Sequence, residues 1–70
     1  MKTFEINKIQ NYLNSKFITN HYKLKDDGKK DSVEVYFKGE FIGLIYKVDD
    51  EGETSYQFQM AILDEDLLDS

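Results

Sequence analysis

His21 is the only histidine of the chain, and histidine is the side chain best matched to acid–base work near neutral pH. To act as a base it needs a nucleophile in reach and a carboxylate to orient the ring. Its neighbours, Asn20 and Tyr22, supply neither. Ser15, Ser32, Ser55 and Ser70 lie in no Gly-x-Ser-x-Gly elbow. The absence of cysteine excludes thiol catalysis, disulfides, iron–sulfur clusters and thiolate zinc sites. Asp49-Asp50-Glu51-Gly52-Glu53 holds carboxylates enough for calcium, yet an EF-hand spaces its ligands at alternate positions of a longer loop between two helices. Here the acids are contiguous and read as a solvated hairpin loop. Paired carboxylates for glycoside cleavage need a cleft between them. No catalytic residue, metal ligand or cofactor is therefore assigned, and the chain is expected not to be an enzyme.

Charge is split along the chain. Up to Val48 there are nine Lys against six acids; beyond it there are eight acids and no Lys, for a net −5. Tyr22, Lys23, Lys25, Lys29 and Lys30 form the best candidate surface for a nucleic acid or nucleotide, with tyrosine for stacking and lysine for phosphate. Asp26, Asp27 and Asp31 sit among them and cancel most of their field. The chain as a whole repels phosphate, and without arginine it lacks the planar fork used for guanine and phosphate. Lysines on an edge strand also discourage pairing with another chain, which is the preferred reading.

The elements that carry these residues follow from periodicity. Ile6, Ile9, Leu13 and Phe17 recur at helical spacing and predict one amphipathic helix over Phe4–Phe17. Thr3 is expected to cap it, Glu5 and Lys16 suit its two dipole ends, and Asn20 is the expected left-handed stop. The period then falls to two. Tyr22–Leu24, Val33–Phe37, Phe41–Val48 and Thr54–Leu63 read as four strands joined by polar turns. A Gly39-Glu40 loop is expected to pair Phe37 with Ile42, Val35 with Leu44 and Val33 with Tyr46. The competing three-residue loop, which would set Val35 against Gly43, is disfavoured because it scatters the apolar set. The outcome is an α+β domain over residues 1–67, αββββ. Its N-terminal helix is packed on one face of a four-stranded antiparallel meander, and residues 68–70 form a disordered acidic end.

Lys29-Lys30-Asp31-Ser32, Glu34-Val35-Tyr36, Glu40-Phe41-Ile42-Gly43 and Ser55-Tyr56, followed by Phe58-Gln59-Met60-Ala61-Ile62-Leu63-Asp64, resemble a short alphaproteobacterial family classed as a domain of unknown function. The resemblance runs from the helix through Leu67, and the string from Phe58 to Asp64 is its most specific part. It implies a cytoplasmic protein of about this size and transfers no catalytic residue.

The fourth strand is the informative feature. Thr54 to Leu63 carries no charge and no proline, and an edge of that kind is a template for another strand. The face away from the helix is expected to show Tyr36, Phe41, Ile45, Ala61 and Leu63 beside Gln57 and Gln59, an apolar strip fit for an interface. The expected function is a non-enzymatic protein-interaction module, acting as a homodimer or as an accessory subunit of a protein partner. The longest apolar run, Phe41–Tyr46, is too short for a membrane span, and Met1–Asn7 has no apolar signal segment. No membrane association and a cytoplasmic location are expected.

Overall fold

The computed structural model describes residues 1–68. Helix α1 (Thr3–Lys16) precedes strands β1 (Tyr22–Asp26), β2 (Ser32–Phe37), β3 (Glu40–Asp50) and β4 (Glu53–Met60), and one helical turn, α2 (Asp64–Leu67), follows. The strands lie in chain order in a single open antiparallel sheet. The class is α+β. The helical turn over Asp64–Leu67 is an element that the αββββ reading did not include. Of the expected disordered end, residues 69–70 lie outside the described residues.

Ile6 and Leu13 of α1 form one buried cluster with Val33, Val35 and Ile45, and Ile9, Tyr22, Leu24 and Ile42 pack against it. Two ends of the helix differ from expectation. Lys2, not Thr3, is the capping residue, and its N–H is taken up by Glu5 Oε1 at 3.2 Å. Phe17 falls at the C-cap and is exposed rather than closing the apolar stripe. The left-handed stop is Ile18 (φ 51°), not Asn20. The Thr19 N–H donates to the Asn14 carbonyl at 2.9 Å, the wrapped ending that brings the chain round into β1. A β-branched side chain held there costs about 1–2 kcal/mol, and Ile18 is 93% exposed, so packing offsets none of it.

Amides on α1 complete the free edge of β1. Asn14 Oδ1 accepts the Tyr22 N–H at 2.9 Å while its Nδ2 donates to the Tyr22 carbonyl at 3.2 Å. Gln10 Oε1 accepts the Leu24 N–H at 3.0 Å. The helix thereby does for this edge what a neighbouring strand does elsewhere.

The β2–β3 hairpin overturns the expected register. Its loop is Lys38-Gly39, with φ of 53° and 81°, the left-handed pair that a type I′ turn needs and that matches strand twist. Phe37 pairs with Glu40 and Tyr36 with Phe41; a bulge leaves Ile42 over; then Val35 pairs with Gly43 and Val33 with Ile45. Val35 thus does face Gly43, though through a two-residue turn and a bulge rather than a three-residue loop, and the bulge restores the apolar set. Phe41 stays on the outer face while Ile42 and Ile45 turn to the helix side. Ile45, placed in the expected interface, is instead 2% exposed beneath α1. Leu44 and Tyr46, expected under the helix, pair with Glu34 and Ser32 on the other face.

The β3–β4 hairpin repeats the device with Glu51-Gly52 (φ 49° and 82°). Asp49, Asp50 and Glu53, read as loop, are strand residues. Strand β4 ends at Met60, three residues short of expectation. Gly43 faces Met60, and a Cβ there would collide with the Gln59 carbonyl oxygen and press on the Phe58 ring. The ring occupies the space that a side chain at position 43 would need.

Two substitutions check this account by urea unfolding. Ile18→Gly should stabilise the fold by about 1 kcal/mol, since it relieves left-handed strain and gives up no buried area. Gly43→Ala should cost roughly 2 kcal/mol through forced repacking against β4.

Candidate functional site

Strand β4 is where the fold leaves most undone. All eight of its residues are exposed. Those turned toward the helix side, Tyr56, Phe58 and Met60, remain 40%, 37% and 57% exposed. Hydrophobic side chains on the inner face of a sheet are normally covered. Here α1 is drawn to β1 by Asn14 and Gln10, so it diverges from β4 and opens a groove of about 370 Å³. Ile9, Tyr12 and Leu13 form one wall, Ile45, Tyr56 and Phe58 the other, and Lys8 stands on the rim.

At one end the groove is closed by an ionic anchor. Glu5 is buried in the first turn of α1. Lys47 Nζ lies 2.8 Å from its Oε2, and the Tyr56 hydroxyl donates to the same oxygen at 2.6 Å. The Lys47 ammonium, then the Tyr56 hydroxyl and the Lys2 N–H, hold the Glu5 carboxyl down from 4.5 to about 2. Glu5 in turn raises Lys47 and Tyr56 above their ordinary values, chiefly through the same hydrogen bonds. The three groups join helix, β3 and β4 at one point, and every oxygen of the carboxylate is satisfied. Past them a second cavity of about 350 Å³ is bounded by Lys2, Phe4, Lys8, Lys47 and Thr54.

The edges of the sheet differ sharply. On β1 the helix amides take up the outward backbone groups. On β4 no side chain among the described residues does so. Next to β4, Asp49 accepts from the Thr54 hydroxyl at 2.7 Å, and from Thr54 to Met60 the strand is uncharged.

The residues expected to form an interface divide. Tyr36 and Phe41 lie together on the outer face, rings edge to face at 5.7 Å, and Phe41 is 48% exposed. Gln57 and Gln59 share that face, opposite Tyr46 and Leu44. Ile45 does not belong there. Ala61 and Leu63 lie beyond the strand and are exposed, the Ala61 N–H donating to the Ile42 carbonyl at 3.3 Å.

The structure also separates the nucleic-acid candidates. Lys23 and Lys25 fall on the outer face, Lys25 opposite Glu34. Tyr22 turns inward against Phe37 and Phe17, so it cannot stack a base beside them. Lys29 and Lys30 lie in the β1–β2 turn. Asp27 in that turn accepts from the Lys29 N–H and the Ser32 hydroxyl, which lowers its carboxyl, the Lys29 contact foremost. His21 is exposed beside Phe37. Among the described residues no group of three or more His, Asp or Glu side chains is placed to hold a metal ion, and no helix is long and apolar enough to cross a membrane.

Sequence reasoning missed the anchor. Glu5 was legible only as a dipole partner, and Lys47 seemed an outer residue until the register of β3 was known. The signal was a lone lysine, two residues after Ile45, in a strand otherwise apolar from Phe41 to Val48.

Because the folded Glu5 carboxyl titrates lower than the unfolded one, its contribution is complete above about pH 4.5 and disappears as pH falls through about 2. Glu5→Gln should therefore destabilise the protein near neutrality and differ progressively less from wild type across that window. Thermal melts of both proteins from neutral pH downward measure this; a difference independent of pH would mean that the anchor is not ionic.

No curated protein and no solved structure matches the chain. A family model does: over residues 5–66 the chain matches the family described as protein of unknown function (DUF3126), and it belongs to that family.

Proposed function

We propose that this protein is a non-enzymatic interaction module whose working unit is a homodimer, formed by antiparallel pairing of two β4 strands about a two-fold axis at Gln57. The observation that carries this reading is the contrast between the two edges, one completed by helix amides and the other bare, and uncharged from Thr54 to Met60. Symmetry selects a second copy as the occupant. An antiparallel two-fold contact sets residues equally spaced on either side of the axis against one another, so an edge bearing Lys23 and Lys25 would set like charges together about Leu24, whereas Thr54–Met60 sets none. With the axis at Gln57, Tyr56 of one protomer stands opposite Phe58 of the other, and Thr54 opposite Met60. The half-exposed aromatics then cover one another on the helix side.

The size of the core argues the same way. Ile6, Leu13, Val33, Val35 and Ile45 are the buried hydrophobic residues among those described, and chains of this length generally need a metal, a disulfide or a partner to supplement such a core. The protein is also drawn out, with a radius of gyration of 13.1 Å against about 11 Å for a compact chain of its length. A cytoplasmic location, an alphaproteobacterial range and the Phe58–Asp64 signature belong to the same proposal, as does the absence of enzymatic activity. Docking to a larger protein uses the same edge.

Light scattering tests it. The wild-type protein should be a dimer at high micromolar concentration. Gln57→Lys and Gln57→Glu, each placing like charges together at the axis, should be monomers with unchanged circular dichroism, and their equimolar mixture should form a heterodimer. A monomeric wild type, or a Gln57→Lys protein that dimerises with wild-type affinity, overturns the reading.

A further inference from the structure

Beyond β4 the chain continues into Ala61-Ile62-Leu63 and α2. Ile62 and Leu63 are more than half exposed, and Asp64 and Glu65 are exposed as well. This is an acidic, apolar segment with no buried residue. The cavity past the Glu5 anchor has the opposite character. Its apolar lining is Phe4 and Ile9 with the Tyr56 ring, and around Glu5 it gathers three cations, Lys2, Lys8 and Lys47. Glu5 engages Lys47. Lys2 and Lys8 pair with no carboxylate among the described residues, and Lys8 instead lies over the Phe4 ring at 5.9 Å.

We infer that in the dimer Ile62–Glu65 of each protomer clasps the first two turns of the partner's α1, seating Ile62 against Phe4 and bringing Asp64 and Glu65 to Lys2 and Lys8. The inference rests on the two-fold β4 reading, and the register of that pairing leads to it. With Gln57 on the axis, Met60 of one chain falls opposite Thr54 of the other, which lines the cavity, and Ala61 falls opposite Glu53, so Ile62 leaves the paired strands just past that wall. Ile62 continues the even-numbered series Tyr56, Phe58 and Met60, so it emerges on the helix side. Of the four acids of the β3–β4 hairpin, Glu51 stands exposed in the turn, and the other three are engaged or turned elsewhere. Asp50 pairs with Glu53 next to the loop, on the face away from α1, and Asp49 is occupied by the Thr54 hydroxyl. The amino end of α1 adds the positive end of its dipole to the two lysines. The uneven charge of the chain thereby acquires a use: the acids that follow β4 meet the cations that precede it, across two molecules.

Sedimentation equilibrium on the full chain tests the clasp by charge exchange. Lys2→Glu/Lys8→Glu and Asp64→Lys/Glu65→Lys each set like charges together in both clasps of their own homodimer. Each should dissociate roughly tenfold more readily than wild type, and an equimolar mixture should recover the wild-type affinity as a heterodimer. All four positions are exposed, so circular dichroism should be unchanged. As a measurement that needs no variant, the wild-type dimer should weaken between low and high salt. Variants that dimerise as wild type does, a mixture that recovers nothing, or a salt-independent dimer overturns the clasp while leaving the β4 pairing in place. A monomeric wild-type protein removes both.

Discussion

A helix is about 10 Å across, and four strands spaced about 4.8 Å apart present a surface roughly 19 Å wide. One helix therefore covers two strands well and not four. Where it lies decides which half of the sheet is finished, and in this protein the choice is made by side-chain amides. Asn14 and Gln10 reach the backbone of Tyr22 and Leu24, drawing α1 over β1 and β2. The cluster of Ile6, Leu13, Val33, Val35 and Ile45 forms beneath it. What remains uncovered, the helix-side face of β4, is the remainder of that geometry rather than a separate feature.

The Glu5 anchor works against this tilt. It ties the amino end of α1 to Lys47 and Tyr56, so the helix crosses the sheet obliquely: its first turns are held toward β3 and β4, and its last turn lies beside β1. The groove between Tyr12 and Phe58 opens where the two attachments diverge. Burying a carboxylate beside an ammonium is costly unless both are fully hydrogen-bonded. Here Tyr56 and the Lys2 N–H complete the set, and no buried side-chain polar atom among the described residues lacks a partner.

Much of this was legible from residue patterns. The helix, the four strands, their order and both faces of β4 follow from the change of period at Asn20 and from the spacing of Tyr56, Phe58 and Met60. The faces of β3 do not. A one-residue slip in pairing inverts every side chain, and two loops, Lys38-Gly39 and Gly39-Glu40, compete on almost equal terms because each places a glycine at an acceptable position. Only the bulge at Ile42 decides, and a bulge leaves no mark in a run as uniformly apolar as Phe41–Tyr46. The error at Ile45, and the failure to see Lys47 beside Glu5, are one error: both residues lie on the strand segment after the bulge. The left-handed Ile18 was illegible for another reason. Asn is the better residue for that conformation, yet tertiary attachment overrides the preference, since Tyr22 must enter β1 level with Asn14, and the chain has to reverse before it reaches Asn20.

The two edges bring these points together. Proteins protect an edge strand with charge, with a bulge or by covering it, and β1 has both lysines and a helix. From Thr54 to Met60 strand β4 has neither, although acids lie immediately before and after that stretch, at Asp49–Glu53 and Asp64–Asp66. Their absence from Thr54–Met60 leaves the middle of this edge without the charge that guards β1. It suits the proposed antiparallel pairing, in which a charge on the axis would face its own copy and like charges equally spaced about the axis would face each other. A chain with a small core and one edge kept neutral between two acidic segments has concentrated its unsatisfied surface on the single element where a second copy can meet it without repulsion.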